Sequence, residues 1–199
     1  MKQHKYILVL IFLIFLSPAI SSASLYTFDL DQKLPNGDAI SSIGTVTISD
    51  YAVNQVKFSI QLNSEYDLRS LFFNTTLDVN GISLSDQKPI SPAGTLSYSF
   101  NNQNSAYKAD GDGYFDGYVY FESGTPTLSA VTFVLNYTGL SADDFIARSS
   151  GNKGDFILAA QLQGDQGWVG TKNAVVPLPP AAMLLGSGFI GIAILRRKY

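Results

Sequence analysis

The 199-residue chain contains no cysteine and one histidine, His4, and its 13 basic and 16 acidic residues leave a net charge of −3. Between Ser24 and Val176 eight Lys and Arg stand against all sixteen Asp and Glu, which disfavours nucleic acid and anionic lipid as partners and suits solubility outside the cell and divalent cations. Past residue 4 there is neither His nor Cys, so disulfide scaffolds, Ser-His-Asp and Cys-His nucleophiles and imidazole or thiolate zinc sites are excluded, while carboxylate-pair chemistry remains open to an enzyme.

Residues 1–23 read MKQHKYILVLIFLIFLSPAISSA. Lys2 and Lys5 precede ten uncharged apolar residues, Ile7 to Leu16. Pro18 breaks the run, and Ser21-Ser22-Ala23 supplies the small residues a signal peptidase reads. This pattern predicts a secretory signal peptide cut between Ala23 and Ser24. The run is short for a permanent anchor, because ten helical residues span ~15 Å, about half a hydrocarbon core.

The middle of the chain predicts strands. Val56 to Leu62 alternates apolar and polar residues with period two, as a half-buried strand does. Thr45 to Ser49, Ser70 to Val79, Leu96 to Phe100, Tyr114 to Phe121, Leu128 to Tyr137 and Phe156 to Leu162 are rich in Val, Ile, Thr, Phe and Tyr and read the same way. Asn36-Gly37, Asn80-Gly81, Pro92-Ala93-Gly94 and Gly151-Asn152-Lys153-Gly154 supply turns between them. Ser141 can cap a short helix with Asp143 and Asp144 in its first turn, running to about Arg148.

Three local features carry candidate chemistry. Asp110, Asp112 and Asp116 with Gly113 follow D-x-D-G-x-x-D, a carboxylate spacing suited to a calcium loop or to a plain polar turn before a strand. A complete EF-hand is excluded, since Lys108 and Val119 stand at the first and twelfth ligand positions. Trp168, the single tryptophan, lies between glycines near the end of the body. It is expected to close the sandwich as part of a last strand, with a sugar-stacking platform as the alternative. Asn74-Thr75-Thr76 and Asn136-Tyr137-Thr138 match the N-glycosylation pattern and are read as strand residues.

The C-terminus reads VVPLPPAAMLLGSGFIGIAILRRKY. Ala181 to Leu195 is fifteen uncharged residues, ~22 Å as a helix. Arg196, Arg197 and Lys198 follow and stay cytoplasmic by the positive-inside rule. Gly186, Gly188 and Gly191 weaken the run as an anchor. Val176-Pro177-Leu178-Pro179-Pro180, the small and apolar residues after it and the basic stop together resemble a PEP-CTERM-type sorting signal of the VPLP variant. Met183 stands where that variant often has Trp. The resemblance implies export across the inner membrane of a Gram-negative bacterium, processing by an exosortase, and a link to exopolysaccharide or biofilm. Lys108 to Asp116, Leu140 to Phe145, and Ala159 to Gln163 with Gly167 to Gly170 resemble a body recurrent among proteins with such tails. Leu162 departs from that pattern, and the body brings no catalytic residues with it.

The expected protein is therefore all-β: a single antiparallel β-sandwich, jelly-roll or immunoglobulin-like, with one short helix, over residues 24–174. A signal peptide (1–23) precedes it and a sorting signal with a transmembrane segment (175–199) follows. The expected function is a non-enzymatic surface or matrix protein, structural or adhesive. It would face the periplasm as an inner-membrane precursor and then reach the outer surface or matrix. Its partners would be signal peptidase, exosortase and extracellular polysaccharide, with no cofactor. A calcium-dependent carbohydrate-binding module and a polysaccharide-acting enzyme using an Asp pair are the alternatives.

Overall fold

The computed structural model describes residues 23–91, 98–110, 113–121, 128–151 and 155–174. The signal peptide up to Ser22, Asp112, the sorting motif Val176 to Pro180, the apolar run and Arg196, Arg197 and Lys198 lie outside the described residues. Among the described residues no helix is long and apolar enough to cross a membrane.

Twelve strands are described: β1 (Leu25–Asp29), β2 (Gln32–Lys33), β3 (Asp38–Ala39), β4 (Gly44–Ala52), β5 (Gln55–Leu62), β6 (Leu68–Phe73), β7 (Ser83–Ser91), β8 (Tyr98–Lys108), β9 (Tyr114–Phe121), β10 (Ala130–Asn136), β11 (Leu158–Leu162) and β12 (Trp168–Thr171). They form two antiparallel sheets, ordered β1-β4-β5-β10-β7 and β3-β2-β12-β11-β6-β9-β8. Pairs β8·β9, β7·β10 and β6·β11 nest around one hairpin, alternating between the sheets.

Burial explains the layering. Val56, Phe58, Ile60 and Leu62 of β5 are buried, while the residues between them stay partly or wholly exposed. Phe58 stacks on Phe133 of β10 at 4.8 Å between ring centroids and meets Phe73 of the other sheet at 5.9 Å. Phe145 inserts edge-on between the layers, 5.0 Å from Phe58 and 5.6 Å from Phe73. Both inner faces therefore close on one apolar cluster.

Two expectations change. The helix from Ser141 to about Arg148 is instead a single 3-10 turn, Ala142–Phe145. Those four residues deliver Phe145 to the core. Beyond them Arg148 is held by Asp155 at 2.6 Å, and the N–H of Ser149 donates to the Phe156 carbonyl at 2.7 Å. The strand expected over Ser70 to Val79 stops at Phe73. There Asn74 turns inward, 3 % exposed; with its amide turned to satisfy both neighbours, its nitrogen donates to the Tyr114 carbonyl at 3.3 Å and its oxygen shares the Ser149 N–H, at 3.0 Å, with the Phe156 carbonyl. A carboxamide so enclosed is no glycan acceptor.

Tyr26 of β1 ties this strand to the 3-10 turn. Its hydroxyl donates to Asp143 Oδ1 at 2.6 Å. That bond, partial burial and the charges of Asp143 and Asp50 push the phenol up to about 12. The fold favours the protonated phenol, so the stabilisation is complete below ~10 and is lost as pH rises through about 12. In a spectrophotometric titration the tyrosine step near pH 12 should be lost in Tyr26→Phe.

Candidate functional site: an aromatic strip on the larger sheet

The three candidate calcium ligands have different placements. Asp110 is exposed in the turn after β8, with a left-handed φ of 46°. Asp112 lies outside the described residues. Asp116 sits within β9 and is 9 % exposed. Its Oδ2 accepts from the Thr75 N–H at 3.0 Å and its Oδ1 from the Ser105 N–H at 2.6 Å. Both oxygens thus already satisfy backbone amides of other segments. Gly113 has its own reason: φ is 102°, and a Cβ there would fall 2.9 Å from both Ser149 Cβ and the Ser150 carbonyl. Among the described residues, no three His, Cys, Asp or Glu side chains come together.

The outer face of the larger sheet carries a different feature. On β6, Leu71 and Phe73 point into the sandwich, so Ser70 and Phe72 point away from it. On β9, Val119 and Phe121 are inside, which places Tyr118 and Tyr120 outside. On β12, Val169 is the core residue. Trp168 therefore does not close the sandwich, as the sequence suggested; it lies on the outer face.

The register brings these rings into line. Phe72 stands opposite both Tyr118 and Ala159, and Gln161 stands opposite both Ser70 and Trp168. β11 separates Trp168 from Phe72, but Ala159 is too small to fill the gap. The two rings meet across it at 5.3 Å. Phe72 stacks on Tyr118 at 4.9 Å with an interplanar angle of 18°, and Tyr118 meets Tyr107 edge-on at 4.9 Å. Gly170 is required beside them, since a Cβ there would lie 2.8 Å from Phe156 Cδ1 and 2.9 Å from the Leu158 carbonyl.

One flank of the strip is covered. Leu34, Ala109, Phe115 and Phe156 pack against Phe72 and Ala159 as a small second core. Trp168, Tyr118 and Tyr107 stay half-buried at its rim. Burial, with Tyr118 alongside, raises the Tyr107 phenol above its usual value. Polar groups lie close by: the Ser70 hydroxyl donates to Gln161 Oε1 at 3.3 Å, and the Arg69 guanidinium lies 5.5 Å from the centre of the Tyr120 ring.

Phe72 is buried beneath the strip and fixes its half-exposed neighbours Trp168, Tyr118 and Tyr107, whose indole N–H and phenol groups offer apolar contact and hydrogen bonding together. The C–H faces and hydroxyls of a pyranose chain need both. Such a surface can hold a ligand through stacking and hydrogen bonds. Of its members the sequence singled out only Trp168. Compared with known family models, with curated proteins and with solved structures, the chain matches none.

Proposed function

We propose that the chain is an exported, non-enzymatic surface or matrix protein, sorted by an exosortase, whose body holds extracellular polysaccharide along the aromatic strip. The observation that carries the binding role is the row Trp168–Phe72–Tyr118–Tyr107, built across four strands with its rim accessible. The body is of jelly-roll type, for which the nested pairing around β8 and β9 argues. Its excess of acidic residues repels polyanions, so the favoured polymer is neutral.

Binding is tested by affinity electrophoresis through gels cast with neutral or acidic polysaccharides. Neutral gels should retard the protein. Trp168→Ala should weaken retardation about tenfold or more, a loss of ~1.4 kcal/mol, while Trp168→Phe keeps most of it. Equal mobility of the wild type in every gel would remove the binding role. Export is tested separately by the intact mass of protein isolated from its native envelope. A chain from Ser24 to between Val176 and Pro180 is expected, and one running from Ser24 through Tyr199 would end the sorting reading.

A further inference from the structure

The first residue after the expected cleavage site is tied to the sheet just ahead of β1. Ser24 precedes β1 and lies beside Asp50 of β4, next to the Leu25·Ser49 pair. The Asp50 N–H donates to the Ser24 carbonyl at 3.0 Å, and the Ser24 N–H donates to Asp50 Oδ2 at 2.7 Å. The other oxygen, Oδ1, accepts from the N–H of Ala142 at 2.7 Å. One carboxylate thus joins the start of β1 to the turn that carries Phe145 into the core.

Negative charge is concentrated here. Asp143 receives the Tyr26 hydroxyl, and Asp144 accepts from the Ser141 N–H at 2.9 Å and the Thr76 hydroxyl at 2.8 Å. Among the described residues the ion pairs run to Asp155, from Arg148 and Lys172; none reaches Asp50. Lys57, the cation on the neighbouring strand, lies 5.7 Å from the Tyr51 ring centre. In the uncut chain the group facing Asp50 Oδ2 is a neutral amide.

We propose that the Ala23–Ser24 bond is a processing site whose product is structural: cleavage turns the Ser24 nitrogen into an ammonium that pairs with Asp50 and clamps β1 to the 142–145 turn. Hydrolysis breaks the C–N bond. The Ala23 acyl carbon takes the hydroxyl of water and the nitrogen takes its proton, and solvent supplies the further proton of the ammonium. The donor position is unchanged, but the hydrogen bond becomes charge-assisted on both sides. This rests on the export reading for the cut itself, whereas the pairing is a property of any chain that begins at Ser24.

The test uses the chain from Ser24 to its C-terminus, in detergent, with the α-amine free or acetylated, each with Asp50 intact or as Asp50→Asn. Asn keeps an acceptor for Ala142 and removes the charge. At about pH 6.5 acetylation should lower Tm by several degrees with Asp50 present and have little effect in Asp50→Asn. The folded amine should titrate above the usual ~7.7–8.0, because the Asp50 carboxylate beside it favours the charged form. A raised amine value means its stabilisation is present below ~8 and fades as pH rises through the folded value, so the acetylation effect should shrink by about pH 10. Equal melting of free and acetylated chains, with an amine titrating in the usual range, overturns the clamp. The N-terminal residue of native protein is read independently: a start other than Ser24 overturns the processing role even where the clamp forms in vitro.

Discussion

Phe58→Ala should destabilise the domain by about 3–5 kcal/mol and lower Tm on the order of 10 °C. Its ring touches three separate elements of the core. It is fully buried, stacks on Phe133 within its sheet, reaches Phe73 of the opposite sheet and receives the edge of Phe145 from the 3-10 turn. Truncation leaves a cavity bounded by three rings on three elements. Two belong to sheet backbones that cannot close inward, so little of the lost contact is recovered. Urea unfolding followed by circular dichroism gives the difference. Phe58→Leu, which keeps most of the volume, should cost clearly less and guards against an alanine variant that does not fold. A cost for Phe58→Ala below ~1 kcal/mol would mean that the sheets do not meet at this ring.

The inner faces were legible from the sequence because burial there follows a period of two: Val56, Phe58, Ile60 and Leu62 announce themselves. Strands whose hydrogen bonds matter more than their side chains were not. β7 reads SLSDQKPIS and the middle of β8 reads NNQNSA. Both are edge strands, where polar residues and proline are tolerated on the open side. β1 was hidden by its position against a cleavage site. The helix expected after Ser141 had sound local signals, yet packing of Phe145 overruled them after four residues.

The strip shows the same division. Trp168 was visible as a rare residue type. Phe72 was hidden in Leu71-Phe72-Phe73, where three apolar neighbours conceal which one faces outward. Only the pairing of Phe72 with Tyr118 and Ala159 places it on the outer side. A ring contact across an intervening strand has no sequence spacing of its own. It depends on the fold bringing β12 and β6 to either side of β11 and on an alanine standing between them.

The Asp-rich segment can be read as a calcium loop or as a polar turn, and Asp116→Ala separates the two meanings. The β8·β9 register shifts between Asn102 and Tyr107, and Ser105 within that irregularity has a φ of 47°. Its N–H has no carbonyl of the ladder to meet and turns to Asp116 Oδ1, while Oδ2 takes the N–H of Thr75 where the chain leaves β6. Alanine at this position leaves two amide hydrogens without their acceptor, at about 1–3 kcal/mol each. Ser105 is exposed, so water replaces part of its bond, and a total loss of roughly 2–4 kcal/mol is expected, the same with chelator present as with millimolar calcium. Asp116→Asn should cost less, because its carbonyl oxygen can still accept one of the two bonds. If Asp116→Ala instead left stability in chelator untouched and abolished a calcium-dependent rise in Tm, the carboxylate would be a metal ligand. Bound calcium at 100 times its Kd would add ~2.7 kcal/mol, a rise well within the reach of a melting curve. The carboxylate holds an irregular edge in place through bonds that need no cation, and the structural role follows from those bonds.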